Sequence, residues 1–223
     1  MTDYHVLDLF CGLGGFSAAF EDSDRWAVTT VDIEARFDPD IQADVFDLRP
    51  SDFDREFNVV VAGHPCTLMS TSGNHDEWDM DEHEPVGNRA ADHTAMAFHT
   101  VGLIRGLNPD YWFLENPRHG RMTWLLGEPT GCVTYCQYGT DYMKPTGLWG
   151  NHPPMNYQRC RHGDGCHDSN TKNDGTSAIA SMRSLSHAER SKVPYDLSAS
   201  IRDACERALD GDAPTDTTLA EWA

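Results

Sequence analysis

The chain has 223 residues, enough for one main α/β domain with a small elaboration and a substantial buried core. Its hydrophobic fraction of 39% excludes wholesale disorder. No apolar run approaches the roughly 18 residues of a membrane span, and the N-terminus lacks a signal pattern, so we expect a soluble, cytoplasmic protein that has no membrane contact. Seven cysteines without a secretory signal disfavour a disulfide framework.

The charge is the most unusual bulk property. The chain carries 36 acidic and 17 basic residues, for a formal net charge of −19, and lysine occurs only at positions 144, 172 and 192. This composition fits either a simply acidic protein or one adapted to a salt-saturated cytoplasm, and we favour the second. An acidic surface argues against a nucleic-acid partner, but molar salt already removes most of the counterion-release term that basic proteins exploit.

Four apolar runs, at 4–10, 26–33, 57–62 and 111–116, predict strands, and apolar residues at helical spacing over 92–107 predict a helix. Strands that are apolar throughout and alternate with helices favour an α/β fold with a mostly parallel sheet and helices on both faces. Ligands in such folds bind at the carboxyl ends of the strands, so the polar residues placed there are expected to form one site.

Three further segments lack this pattern. Residues 71–92 are polar and acidic and predict a mobile active-site loop. Residues 150–180 are rich in Asn, His, Gly, Asp and Cys and predict an irregular insertion. Residues 185–209 predict a capped turn followed by a C-terminal helix.

A glycine cluster, DLFCGLGGFS at 8–17, joins the first strand to a helix, which is the context that a nucleotide-type cofactor requires. Its spacing is not G-x-G-x-x-G, which weakens a dinucleotide interpretation. Asp32 follows about twenty residues later, where a carboxylate can accept hydrogen bonds from ribose hydroxyls, and Asp44 is placed to reach an adenine amine. The alternative is a tight connection between a strand and a helix.

Two shorter motifs follow the third and fourth strands. In GHPCTLMS (63–70), Pro65 makes the turn rigid and presents Cys66 as a candidate nucleophile, although a buried structural cysteine is the commoner role. In ENP (115–117), Glu115 is a candidate acid or hydrogen-bond donor, and a capping or salt-bridged carboxylate is the alternative.

In this order, DLFCGLGGFS, VDIEA, GHPCTLMS and FLENP resemble the cofactor, nucleophile and acid motifs of the cytosine-5 DNA methyltransferase family, over roughly residues 4–150. The resemblance implies a Rossmann-like, S-adenosylmethionine-dependent methyltransferase that methylates carbon 5 of cytosine on a flipped base, with Cys66 as nucleophile and Glu115 as the partner of the cytosine. The residues implied for the S-adenosylmethionine site are Phe10, Cys11, Gly12, Gly14, Gly15, Asp32, Ile33, Asp44 and Pro65.

The chain departs from the family pattern in three places. His64 and Pro65 stand where the family has two prolines, and ENP replaces the more frequent ENV. The family next has a Gln-x-Arg strand, whereas this chain offers Gln137 without the arginine. We therefore expect Gln137 and Lys144 to complete the catalytic set, with Arg118 as an alternative cation.

The resemblance also divides the chain into a catalytic domain (1–139), a small target-recognition insertion (140–184), a C-terminal helix that packs back on the catalytic domain (185–210) and a tail (211–223). The expected partner is double-stranded DNA, acted on by a monomer in methylation or restriction-modification, in a halophilic host or its virus. An inactive DNA-binding relative and a tRNA cytosine-5 methyltransferase remain as alternatives.

The insertion contains the sequence CRHGDGCH (160–167). Cys160, His162, Cys166 and His167 offer ligands for a structural zinc ion, with Cys132 or Cys136 as a further ligand. Their spacing matches no C-x₂-C pair, so an ordinary polar recognition loop is the alternative.

Overall fold

The structure is a computed structural model, and it describes residues 2–71, 75–161, 164–167 and 185–212. At its centre lies a seven-stranded sheet in the order β3-β2-β1-β4-β7-β9-β8. A separate antiparallel pair, β5 with β6, lies outside this sheet. The strands are β1 Tyr4–Leu9, β2 Trp26–Asp32, β3 Ile41–Gln42, β4 Val59–Gly63, β5 Trp78–Asp79, β6 Glu84–Pro85, β7 Tyr111–Pro117, β8 Gly131–Thr134 and β9 Pro145–Trp149.

Five strands of the sheet, β3, β2, β1, β4 and β7, run parallel, and β9 pairs antiparallel with both β7 and β8. The helices are α1 Ala18–Glu21, α2 Asn88–Leu107, α3 Met122–Leu126, α4 His187–Ser191 and α5 Tyr195–Leu209. Short 3-10 helices occupy 35–37, 45–47, 50–52, 75–77 and 135–138.

Alternate residues of the central strands face opposite sides of the sheet, and each side has its own core. Along β4, Val60 packs with Ile104 of α2 on one side, whereas Val59 and Val61 pack with Leu197 of α5 on the other. Because every side chain in β4 from Val59 to Ala62 is buried, the strand is apolar without alternation. This confirms the expected mostly parallel α/β sheet with helices on both faces.

Helix α5 returns to the glycine turn at the start of the chain. The Ser198 hydroxyl donates to the Phe16 carbonyl at 2.7 Å and accepts from the Ala19 N–H at 3.1 Å. A box of reciprocal hydrogen bonds between Ser186 and Glu189 begins α4, the capped turn that precedes it. No helix in the described ranges is both long and apolar enough to cross a bilayer.

Two predicted segments differ in the structure. The polar segment 71–92 is not one open loop, because residues 75–85 form a 3-10 helix and the β5–β6 pair, and α2 begins at Asn88, four residues before its predicted start. Arg121 explains part of this order, since its guanidinium lies over the rings of Trp78 and Trp124. The expected Gln-x-Arg strand is instead a 3-10 helix at 135–138 followed by β9.

Candidate active site

The strand register brings the predicted motifs to one edge of the sheet. Leu9 lies opposite Val31 in β2 and Ala62 in β4, and Gly63 lies opposite Glu115 in β7. The residues that follow these positions therefore meet at the carboxyl ends of the parallel strands, where this class of fold binds its ligands. The buried Asn116 amide also donates to the His64 carbonyl at 2.9 Å and joins two of the motifs directly.

A cleft of about 420 Å³ opens at this edge, between the ends of β1, β2 and β4. Five of the nine predicted cofactor residues line it: Phe10, Asp32, Ile33, Asp44 and Pro65. Its remaining lining is mainly apolar, and Ile33 leaves 58% of its surface exposed. Cys11, Gly12 and Gly14 line a second cleft on the other side of the same turn.

The glycine turn adopts a conformation that requires positive φ at three positions. Phe10, Gly12 and Gly14 have φ angles of 60°, 51° and 65°. The Gly12 N–H donates to Asp32 Oδ2 at 2.9 Å, so the turn and the acidic end of β2 fix each other. For a residue with a side chain, such as Phe10, this conformation is uncommon and costs free energy, which is a feature of ligand-binding turns.

Gly15 is required by packing. A β-carbon there would lie 2.6 Å from the Val193 carbonyl oxygen, and Gly15 lines neither cleft beside the turn. Glycine is required because the chain just before α5 passes directly over this position. The predicted contact of Gly15 with the cofactor stays a prediction.

The two predicted carboxylates are held in fixed orientations at the first cleft. Asp32 accepts through Oδ2 from Gly12 and through Oδ1 from the Glu34 N–H at 2.9 Å. Asp44 Oδ1 accepts from the Phe46 N–H at 3.0 Å. Each carboxylate oxygen has a second lone pair, so both side chains can still accept from a ligand. An apolar slot with two oriented acceptors fits an adenosine, whose hydroxyls and amine are donors.

A larger cleft of about 1290 Å³ opens at Cys66. Basic groups from three parts of the chain line it: Lys144, His119, His187 and Arg190. No Asp or Glu is among its lining residues within the described part of the chain, although the whole protein carries a net charge of −19. This local excess of basic groups fits an anionic ligand.

The Cys66 thiol is mostly buried in this cleft, and burial raises its pKa. The Lys144 ammonium opposes this rise, and a hydrogen bond with the Ser191 side chain lowers the pKa further, whereas the Glu115 carboxylate raises it. The neighbouring groups thus include a cation that stabilises the thiolate. Cys11 has no such neighbour, and burial beside Asp8 and Asp32 raises the pKa of its thiol to about 12.

Glu115, Tyr135 and Lys144 form a buried polar triad beside Cys66. The Tyr135 hydroxyl donates to Glu115 Oε1 at 2.9 Å, and Lys144 Nζ lies 3.4 Å from the same oxygen. Lys144 Nζ also lies 3.5 Å from the Tyr135 hydroxyl and 4.5 Å from the centre of its ring. Burial and the Glu115 carboxylate raise the pKa of Tyr135 well above its usual value, so this phenol remains a donor.

Gln137 is placed differently from its prediction. It does not line the Cys66 cleft, and its side chain hydrogen-bonds with Cys166. Tyr135, two residues earlier, provides the donor to Glu115. The reason is that residues 135–138 form a 3-10 helix rather than a strand, which changes the face on which each side chain lies.

Arg121 supports the candidate site, and the sequence interpretation missed it. Its side chain is fully buried, and its guanidinium donates to the Leu68 carbonyl at 3.1 Å and to the Ser70 carbonyl. Its backbone N–H donates to the Met69 carbonyl at 2.7 Å. Arg121 therefore fixes three successive carbonyls of the turn that follows Cys66. No sequence signal distinguishes it from an ordinary surface arginine near a helix start.

Three of the predicted metal ligands, Cys160, Cys166 and His167, lie together with Cys136, which was predicted as a possible further ligand. The ligand atoms of Cys136, Cys160, Cys166 and His167 all lie within 4.8 Å of one another. His162, which was predicted as a ligand, lies outside the described residues, and Cys132 is not part of the cluster.

The sheet order, the glycine turn and the cysteine cleft define the chain as a Rossmann-like methyltransferase fold of the type that uses S-adenosylmethionine. A model of the C-5 cytosine-specific DNA methylase family matches residues 4–119, just over half of the chain. The chain belongs to this family. The match ends at residue 119, before Tyr135, Gln137 and Lys144, so it does not bear on these three residues.

Among solved structures, the chain is similar to a protein described as a DNA modification methyltransferase encoded within a prophage (E. coli), at 18% identity and a TM-score of 0.46 over 66% of this chain and 46% of that one. It is also similar to the Entamoeba histolytica methyltransferase EhMeth, at 12% identity and a TM-score of 0.49 over 72% and 58%. The chain thus spans about half the length of these structures. No curated protein matched its sequence.

Proposed function

We propose that the chain transfers a methyl group from S-adenosylmethionine to carbon 5 of cytosine in DNA, through a covalent bond from Cys66 to the base. The proposal rests on the positions of Pro65 and Cys66, two consecutive residues that line different clefts. Pro65 lines the apolar cleft that Asp32 and Asp44 also line, and Cys66 lines the basic cleft. A methyl donor in the first and a base in the second would meet at this peptide.

Cys66 begins the reaction as a thiolate. Carbon 5 of cytosine is too weak a nucleophile to accept a methyl group directly, and addition of the Cys66 sulfur to carbon 6 gives it carbanion character. Lys144 and Ser191 favour the thiolate that this step requires. When bound, S-adenosylmethionine supplies the electrophilic methyl group, and the carbon 5 proton then leaves to solvent as the bond between Cys66 and carbon 6 breaks.

Glu115 and its two partners hold the base and stabilise the charge on its ring. Tyr135 and Lys144 both contact Oε1 of Glu115, which leaves Oε2 to accept from the exocyclic amine and from ring nitrogen 3 once that nitrogen carries a proton. Negative charge moves onto the ring as Cys66 adds, so a buried acid with a neighbouring ammonium stabilises the transition state more than the ground state. In this proposal Lys144 takes the place of the family's arginine.

The basic lining of the Cys66 cleft supports DNA as the substrate. Lys144, Arg190 and the two histidines can contact phosphates beside a flipped nucleotide, and base flipping itself costs a few kcal/mol. We propose further that residues 140–184 provide target recognition and that residues 185–210 support the catalytic domain 1–139.

Methyl transfer from tritium-labelled cofactor to double-stranded DNA in molar KCl tests this function, with tRNA as a parallel substrate and nucleoside digestion to identify the product. We expect 5-methylcytosine in DNA, lost in Cys66→Ala and retained in the matched control Cys132→Ser. Transfer to tRNA alone would overturn DNA as the substrate. DNA binding without any transfer would support the inactive, DNA-binding alternative.

A further inference from the structure

We propose that Cys136, Cys160, Cys166 and His167 bind one zinc ion, which joins the segment ending at His167 to the turn that carries Tyr135. The four ligands come from two separate parts of the chain, the 3-10 helix 135–138 and the segment after β9. The proposal concerns folding and positioning, and it does not depend on the reaction at Cys66.

The distances between the ligand atoms match the edges of a zinc tetrahedron. Zinc bonds of about 2.3 Å to sulfur and about 2.0–2.1 Å to nitrogen give edges of about 3.8 Å between sulfurs and about 3.5 Å between sulfur and nitrogen. The Cys166 sulfur lies 3.6 Å from that of Cys136 and 3.3 Å from that of Cys160. His167 Nδ1 lies 3.5 Å from the sulfurs of both Cys160 and Cys166.

Other chemistry explains this cluster less well. A disulfide needs two sulfurs at about 2.05 Å, whereas all seven cysteines are free and the Cys166 sulfur lies 3.6 and 3.3 Å from those of Cys136 and Cys160. A disulfide would also use only two of the three converging thiols. Three sulfurs and one imidazole nitrogen form the Cys₃His set found in closed structural zinc sites, whereas Mg²⁺ and Ca²⁺ prefer oxygen ligands.

The polypeptide around the cluster is already connected to it by backbone hydrogen bonds. The Cys160 N–H donates to the Thr134 hydroxyl at 3.1 Å, and the Thr134 N–H donates to the Gln158 carbonyl at 3.1 Å. The Gln158 N–H donates to the Tyr138 hydroxyl at 3.0 Å. These contacts do not involve the ligand side chains and place Cys160 beside the 3-10 helix, which lowers the entropy cost of assembling the site.

Because Cys136 is next to Tyr135, a metal ion bound to Cys136 would also affect the candidate active site. Cys136 follows Tyr135, whose hydroxyl donates to Glu115, and it precedes Gln137. A metal bond to Cys136 would fix the short 3-10 helix that sets the direction of the Tyr135 side chain. We therefore expect loss of zinc to loosen the Glu115–Tyr135 contact as well as the segment after β9.

The first measurement is the metal content of the purified full chain, followed by removal of metal with a chelator and titration with Co²⁺. We expect one zinc per chain. We also expect tetrahedral cobalt absorption with a sulfur-to-cobalt charge-transfer band, since cobalt reports both the geometry and the thiolate ligands. Titration of unreduced, denatured protein should give all seven thiols after chelation.

Variants locate the site. Cys136→Ser, Cys160→Ser and Cys166→Ser should each weaken Zn²⁺ binding at least tenfold and reduce the charge-transfer band, and His167→Ala should weaken binding while keeping that band. Cys132→Ser, four residues before Cys136 in the neighbouring strand, is the matched control and should bind as the wild type does.

The proposal would be overturned if the metal-free chain bound neither Co²⁺ nor Zn²⁺, or if the Cys136 and Cys160 variants bound metal as the wild type does. It would also be overturned if two fewer thiols reacted than the seven in the sequence, because that would indicate a disulfide. Limited proteolysis of the segment after β9, with and without chelator, provides a readout of positioning. Metal binding and proteolysis are both measured without methyl transfer. Failure of the zinc site and failure of the proposed function are therefore distinguishable.

Discussion

At the scale of single residues, the chemistry of the candidate site depends on how its neighbours change each side chain. Cys11 and Cys66 are both largely removed from water, yet only Cys66 has an ammonium and a hydroxyl beside it. The same residue type therefore has two roles, an inert thiol beside the cofactor cleft and a candidate nucleophile. The sequence motifs separate these two roles, and the structure adds the neighbouring groups that give each thiol its chemistry.

Lys144→Met tests the cation that faces the nucleophile. Removal of this charge raises the pKa of Cys66 further, because burial is then opposed only by the hydrogen bonds of the thiol with the backbone and with Ser191. We expect the pH profile of Cys66 alkylation by iodoacetamide to move to higher pH, and methyl transfer at neutral pH to fall about 10–100-fold. Arg105→Met removes a charge from the exposed end of α2 and is the control. An unchanged alkylation profile would contradict the assigned role of Lys144.

Asp32→Asn and Asp44→Asn test the cofactor cleft. Each replaces an oriented carboxylate, and a hydrogen bond to a charged group contributes about 1.5–3 kcal/mol. We expect each change to weaken S-adenosylmethionine binding about 10–100-fold by calorimetry. The control is Asp47→Asn, an exposed carboxylate on the same 3-10 helix as the cap formed by Asp44. Equal affinities in all three variants would place the cofactor elsewhere.

At the scale of elements, the turn after Cys66 depends on α3. Arg121 precedes α3 and holds the carbonyls of residues 68–70, while its guanidinium is covered by Trp78 and Trp124. The polar segment before α2 supplies Trp78, so it takes part in holding Arg121 in place. This contact joins the β5–β6 pair to the nucleophile turn.

Arg121→Met should lower the free energy of unfolding by about 2–4 kcal/mol, because buried carbonyls lose a charged donor and methionine cannot replace it. Urea denaturation measures this change. Arg55→Met, in a surface pair with Asp54, is the control and should change stability by less than about 0.5 kcal/mol. A small effect at Arg121 would mean that the turn is held by other contacts.

The sequence predicted the elements whose signals are local, and it missed those that depend on distant contacts. The apolar strands and the glycine turn are confirmed because buried parallel strands leave a direct composition signal. The β5–β6 pair has no such signal, because its strands are two residues long and are ordered by Arg121 and by packing on α3. The contact of Tyr135 with Glu115 likewise joins positions twenty residues apart, which spacing rules for local motifs do not detect. Spacing also left the choice between Cys132 and Cys136 open, and the structure places Cys136 in the cluster.

At the scale of the whole molecule, the net charge of −19 sets the conditions in which the fold is stable. Repulsion among surface carboxylates opposes folding, and salt reduces it, with a Debye length of about 10 Å at 0.1 M and about 3 Å at 1 M. The basic cleft at Cys66 is the contrasting region. Lys144 and Arg190 line it, and no carboxylate is among its lining residues within the described part of the chain.

The thermal unfolding midpoint should rise as KCl increases from low ionic strength to molar concentration, with the steepest change where the Debye length shortens most. Differential scanning fluorimetry at fixed pH measures it. KCl and NaCl are compared at equal ionic strength, and both are compared with sucrose. This separates the screening of charges from the general stabilisation by solutes that are excluded from the protein surface. A midpoint independent of salt would contradict adaptation to a salt-saturated cytoplasm.

The most direct test of the central claim is a covalent complex with DNA that contains 5-fluorocytosine, formed with saturating S-adenosylmethionine in molar KCl. Fluorine at carbon 5 cannot leave as a proton does, so the bond from Cys66 to carbon 6 should persist through denaturation, and mass spectrometry should locate it on Cys66. We expect this complex for the wild type and Cys132→Ser and none for Cys66→Ser. A folded, cofactor-bound chain that traps no DNA, or one that still traps it after Cys66→Ser, would contradict the mechanism.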